Sequence, residues 1–284
     1  MLIPIAVVVV ATDVYVAAER ALCPVPLHKV HFNYHFGSVD DPFHWYELDK
    51  DTHCCDGSKQ SPINIETQDT KCAKLDPMQY EFKRRRQLKG FLTRNGHGAS
   101  LAFFKQDRLV TKDFPFTNGE YVLASMHFHS PSEHLVNGRH HAGELHLVHY
   151  KKEYGSVAGA VDKADGLAVI GVFLRVRGKS ENNAFNRFVD GVSALKGDKP
   201  KKVSLDPRQL LLRDGDYYTY KGSLTTPPCS ESVRWVVMKD PISTTADRLR
   251  VLKDVPVSDG EPLYVDTNVR PSQPLNGRTV YVTC

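Results

Sequence analysis

No segment of the chain holds the roughly 20 apolar residues in a row that a membrane-spanning helix requires. The longest apolar run, Met1 to Ala11, is uncharged but falls short of that length. With the small residues Val16 and Ala18 behind it, it reads as a signal peptide over residues 1–18, a buried strand being the alternative. No basic residue precedes the run and Asp13 follows it closely, both departures from the usual leader pattern. A strong charge bias is also missing: 37 Lys and Arg against 33 Asp and Glu leave a formal +4, too little to imply a nucleic-acid partner. The densest basic run, Lys83 to Arg86, reads as a solvated face. There is no CxxC pair, which argues against a thiolate zinc site. Repeats, low-complexity tracts and Pro/Gly/Ser-rich linkers are absent, so residues 19–284 are expected to form a single domain.

What is present is ordinary globular composition, 41% hydrophobic and 25% charged. Cysteines 23, 54, 55, 72, 229 and 284 are an even set behind an export signal, which suggests disulfides and a secreted or extracellular protein. Spacing alone leaves their pairing open, with buried free thiols as the plainer alternative. Val122 to His129, Glu144 to Tyr150, Leu167 to Val176 and Val233 to Met238 are rich in β-branched, aromatic and alternating residues, as strands are. Helical spacing is confined to Phe185, Phe188, Val189, Val192 and Leu195 behind Asn182 and Asn183, and to a short stretch ending at Leu252 that Thr244 or Thr245 would cap. The expected fold class is mainly β with short peripheral helices (α+β).

The chemistry lies in the histidines. His28, His31, His35, His44 and His53 fall in a polar N-terminal region where exposed or hydrogen-bonded histidine is the default reading. The segment Met126-His127-Phe128-His129 is different, because residues two apart on a strand project from one face. His127 and His129 therefore point together. Across Glu144-Leu145-His146-Leu147-Val148-His149, alternation puts Glu144, His146 and Val148 on one face and Leu145, Leu147 and His149 on the other. Three neutral imidazoles without a thiolate suit Zn2+ with one position left for water, the pattern of a catalytic site.

These residues resemble the α-class carbonic anhydrases. The likeness runs through Gln60-Ser61-Pro62-Ile63-Asn64-Ile65, Asn95-Gly96-His97, His127-Phe128-His129, Ser132-Glu133-His134 and Glu144 to His149. It continues through Asp165 to Val169 and Gly222-Ser223-Leu224-Thr225-Thr226-Pro227-Pro228 to Asn268-Val269-Arg270-Pro271, with residues 19–40 the weakest match. The resemblance implies one domain on a twisted, mostly antiparallel central sheet, and reversible hydration of CO2 to bicarbonate and a proton. A secreted carbonic-anhydrase-like binding or matrix protein with little turnover is the alternative; its usual sign, a lost ligand histidine or a broken threonine-glutamate pair, is not seen here.

Residue by residue, His127, His129 and His146 match the zinc ligands. Thr225 matches the hydroxyl that orients the attacking oxygen while giving its own proton to Glu133, and Glu144 matches the partner of His146. Val148, Val169, Leu224, Thr226 and Trp235 match the pocket for CO2, and His97 matches the proton shuttle. The sequence departs from the family at Ser125, where a glutamine commonly holds the first ligand, and in the N-terminal aromatic pair, for which Tyr34 and Phe36 are the nearest candidates. Extracellular relatives join a cysteine ahead of the Gln-Ser-Pro motif to one after the Thr-Thr-Pro-Pro loop, here Cys55 or Cys54 with Cys229. The chain is expected as a monomer or a disulfide-linked dimer acting on a small molecule.

Overall fold

The computed structural model describes residues 31–49, 52–78, 87–94, 97–104, 109–112, 114–197, 199–211, 215–254 and 267–284; the leader reading over residues 1–18 lies outside them. The strands are β1 (Asn64–Ile65), β2 (Lys71–Ala73), β3 (Leu88–Arg94), β4 (Ala99–Phe103), β5 (Val110–Lys112), β6 (Glu120–His129) and β7 (Leu135–Val136). They continue as β8 (Arg139–His140), β9 (Gly143–Lys151), β10 (Leu167–Val176), β11 (Lys201–Leu205), β12 (Tyr217–Gly222), β13 (Val233–Thr244) and β14 (Tyr281–Thr283). Helices α1 (Val157–Ala160), α2 (Asn183–Ser193) and α3 (Ala246–Lys253) are short. Asn182 starts α2 by accepting the Phe185 N–H at 3.0 Å, and of the two threonines it is Thr245 that caps α3.

One large sheet has the order β11-β3-β4-β6-β9-β10-β13-β12-β14-β2, with β5 added beside β6. Its ladders are antiparallel except β10 with β13 and β14 with β2. The expected mainly-β, mostly antiparallel architecture is the one observed. A small second sheet, β1-β7-β8, ties the Gln-Ser-Pro segment to the turn that follows Glu133.

Alternation divides the core in two. One face of the sheet packs Met126, Phe128, Leu145, Leu147, Ile170 and Val172 against Phe185, Phe188 and Val192 of α2 and Leu249 and Leu252 of α3. The other buries Val148, Val169 and Trp235 with Ile63, Ile65 and Tyr220. A bulge at Ala124 adjusts β6 to both faces: Leu123 stands opposite His149, yet Ser125 already stands opposite Val148. That extra residue reverses the parity of the strand. Tyr121 and Leu123 thereby join Met126 and Phe128 in the helix-side core, while His127 and His129 emerge on the other face.

Two disulfides lie among the described residues, Cys55–Cys229 and Cys72–Cys284. Cys55 is thus the partner of Cys229, and no described cysteine is a free thiol.

Candidate metal centre

The site is a consequence of register. His127 on β6 is directly opposite His146 on β9, and His129 is opposite Glu144. Ligand atoms of His127, His129 and His146 all lie within 4.8 Å of one another. One step along the sheet, Ser125, Val148, Val169 and Trp235 form a continuous row across four strands. Leu224 packs against the same cluster, so the side chains expected to form an apolar wall stand immediately beside the imidazoles.

Each ring is prepared differently. His129 directs Nδ1 to the Asn268 carbonyl at 2.7 Å, which leaves Nε2 as the acceptor nitrogen. His146 directs Nε2 to Glu144 Oε1 at 3.0 Å, which leaves Nδ1. Among the described residues no hydrogen bond holds the ring of His127, and Ser125 does not reach it. Burial pushes the His127 imidazole well below its ordinary range and lowers that of His129, so both are neutral, as a metal ligand must be.

The donor set fits a cation. Glu133 Oε2 lies 3.5 Å from His129 Nε2 and 3.8 Å from His146 Nδ1. A carboxylate oxygen facing two lone-pair nitrogens is three acceptors with no donor between them. His129 Nε2 and Glu133 Oε2 are accordingly buried without a hydrogen-bond partner. A positive ion, held by three neutral imidazoles and balanced by the carboxylate behind them, resolves that arrangement. The second cluster of ligand-type residues, His134, Glu144 and His146, is already satisfied by protons: Glu144 receives His134 through Nδ1 at 2.7 Å and through its backbone N–H at 2.9 Å. Burial alone would raise the Glu144 carboxyl, but His134 and His146 hold it well below the usual range.

From Glu144 the network continues inward. His134 Nε2 meets the Tyr220 hydroxyl at 2.7 Å, and Tyr220 meets Ser61 Oγ at 2.9 Å. Ser61 in turn accepts the Ser223 N–H, at the base of the loop that carries Thr225. Gly171 makes room for it, because a Cβ there would come within 2.6 Å of Glu144 Oε1. A glycine inside a strand usually marks such a close approach.

Thr225 is buried and Thr226 half-buried, on a loop fixed by Leu224 N–H to Ser230 O and Cys229 N–H to Thr226 O. Glu133 Oε1 accepts the Arg270 N–H at 2.9 Å. Because Oε2 is turned to the imidazoles and accepts no hydrogen bond, the expected Thr225–Glu133 link is not made through that oxygen. His97 is half-buried rather than freely exposed. Its ring stacks on Phe32 at 3.9 Å and meets Tyr34 edge-on at 5.9 Å. The N-terminal aromatic pair is therefore Phe32 and Tyr34; Phe36 is 58% exposed and packs on Phe43.

Asn268 is the residue that sequence reasoning passed over. Besides its carbonyl bond to His129, its side chain accepts the Ser130 N–H and donates to the carbonyls of Phe128 and His97. One residue thus holds His129 through its backbone carbonyl, and the strand end behind it and the backbone of His97 through its side-chain amide. The quoted Asn-Val-Arg-Pro motif was the available signal, since Arg270 from the same segment also binds Gln60, Ser61 and Cys55.

Fold and site together define a β-sheet protein with three histidines gathered where they could hold a metal ion. The family model for eukaryotic-type carbonic anhydrase matches residues 40–284. Carbonic anhydrase 7 of Homo sapiens is 36% identical over 263 residues, covering 88% of this chain and 97% of that protein. Carbonic anhydrase 1 of Mus musculus is 36% identical over 258 residues, covering 86% and 96%. The chain belongs to the eukaryotic-type carbonic anhydrase family.

Proposed function

We propose that the protein catalyses the reversible hydration of CO2 to bicarbonate and a proton, and does so after secretion. The observation that carries the reading is the convergence of His129 Nε2, His146 Nδ1 and the His127 ring on one point, with an unpartnered Glu133 oxygen behind it. His127, His129 and His146 would hold zinc. Bound there, zinc would supply water acidified enough to react near neutral pH, a general property of which carbonic anhydrases are the standard illustration.

The chain's own residues supply the rest. Asn268 and Glu144 fix two of the rings, which sets where the open position faces. Val148, Val169, Leu224 and Trp235 give CO2 an apolar surface beside it, and Thr225 and Thr226 present hydroxyls from the opposing loop. Glu133 accepts the Thr225 hydroxyl hydrogen bond once its free oxygen turns from the imidazoles. His97 carries the product proton outward, its ring moving off Phe32. Two disulfides among the described residues suit an oxidising compartment, which supports secretion.

The test is zinc content together with stopped-flow CO2 hydration. About one zinc per chain and sulfonamide-sensitive hydration are expected, and His129→Ala should lose metal and rate together. In the same assay His97→Ala should slow turnover only when buffer is scarce, with imidazole restoring the rate. Full activity in His129→Ala would overturn the assignment.

A further inference from the structure

Arg234 is adjacent to Trp235 on β13, so strand alternation sends its side chain to the sheet face opposite the histidines. The residue is 7% exposed, yet among the described residues its guanidinium makes no hydrogen bond or ion pair, and its Nε is buried without a partner. A lone buried cation is costly unless a counterion joins it. Its ladder neighbours supply none: Ala168 stands opposite on β10, and Lys221, a second cation, stands opposite on β12. The groups acting on its charge are the phenols of Tyr121 and Tyr281, and burial pushes the guanidinium down to about 10.

An aromatic cover lies above the guanidinium. The Phe116 ring lies over the guanidinium at 5.5 Å and against Tyr281 at 4.7 Å. Phe116 holds a φ of 58° in a turn closed by the Thr117 N–H on Phe114 O, a position that usually takes glycine or asparagine. Thr219, on the same side of β12 as Lys221, has a buried hydroxyl with no partner. Unused donors, two cations and an aromatic cover share this side of the sheet, and among the described residues no carboxylate pairs with the guanidinium.

We propose that Arg234, with Thr219 and Lys221 beside it and Phe116 above it, binds a small planar oxyanion, a carboxylate or bicarbonate. The Nε–H and the adjacent Nη–H form a fork that matches two oxygens of one planar anion. The Thr219 hydroxyl supplies a further donor, Lys221 adds attraction from the exposed side, and the Phe116 ring limits the size of what enters. The site does not depend on the hydration reading, since it lies across the sheet from the imidazoles.

The experiment is thermal unfolding of the full chain in formate and in gluconate at equal ionic strength. An aromatic sulfonamide is kept saturating so that the histidine site cannot take formate. Formate at ten times its dissociation constant should raise the midpoint by about 3 °C over gluconate. Arg234→Met should abolish that response while raising the midpoint in gluconate, because it removes an unpaired buried charge; a merely structural arginine would lower it. Phe116→Gly, which suits the positive φ and keeps the charge, should move the response to higher formate concentration. An equal formate response in Arg234→Met, or none in the wild-type protein, would overturn the site. A chloride response as large as that to formate would overturn its preference for a planar oxyanion.

Discussion

Among the three imidazoles, His129 and His146 each place one ring nitrogen against a fixed acceptor, the Asn268 carbonyl and the Glu144 carboxylate. His127 stands in the same constellation with Ser125 two residues before it, paired across the ladders with Ala102 and Val148. A serine hydroxyl is too short to reach the ring from there, whereas a glutamine amide projects about two bonds further. Ligand rings that lack such a contact pay orienting entropy on binding and typically lose about 10- to 100-fold in metal affinity. Ser125→Gln is therefore expected to slow zinc loss to a competing chelator by about tenfold, measured by the chelator's absorbance rather than by turnover. Unchanged release would mean that packing between His127 and its neighbours already holds the ring. The three ring centroids, 4.5 to 5.2 Å apart, are the contacts that would do so.

At the scale of the strand, β9 carries two histidines three residues apart with opposite fates. His146 faces His127 and His129, while His149 faces the helix-side core, buried and edge-on to Phe114 at 5.1 Å. Burial lowers the His149 imidazole to about 3. Above about 6.5 the ring is neutral in both folded and unfolded chains and costs nothing. As pH falls from 6.5 toward 3, the unfolded chain takes a proton that the folded one refuses, so stability declines through that window. Between pH 7 and pH 5 the loss comes to about 2 kcal/mol. His149→Gln should remove that part of the slope, read as a smaller difference between urea midpoints at the two pH values; an unaltered slope would show that His149 does not titrate with unfolding.

The same strand shows what could be read beforehand. Period-two alternation assigned His146 and His149 to their faces and paired His127 with His129, because those are properties of a single strand. It could not assign the bulge at Ala124, since a bulge exists only relative to a partner strand. Nor could local pattern find Asn268, which reaches His129 across 139 positions of chain, or Phe32, whose place under His97 depends on how the N-terminal segment is laid down. The helices were legible at their caps because Asn182 and Thr245 bond to amides three residues on.

Across the whole molecule, the two described disulfides join distant parts of the chain, with separations of 174 and 212 residues. Their work is expected to differ. Cys72–Cys284 fastens β14 to β2, a three-residue strand at the end of the sheet order, far in the sheet from the histidine strands. Cys55–Cys229 is tied to the segments around the histidine site: the Cys55 carbonyl accepts Arg270 Nη2 at 2.8 Å, and the Cys229 N–H closes the turn after Thr226 at 2.8 Å. Arg270 donates its backbone N–H to Glu133, so this bridge braces both the loop that presents Thr225 and the segment that holds the buried carboxylate. Loop closure predicts that either bridge contributes roughly 2 to 4 kcal/mol. Because the two loops overlap along the chain, removing both should cost less than twice that. The paired variants Cys72→Ser with Cys284→Ser and Cys55→Ser with Cys229→Ser should then show similar losses in urea unfolding. Only the second should also lower kcat/KM for CO2 hydration, measured well below its unfolding transition. Equal activity in the two double variants would show that Arg270 and the backbone bonds of the Thr225 loop hold that loop and Glu133 without covalent help.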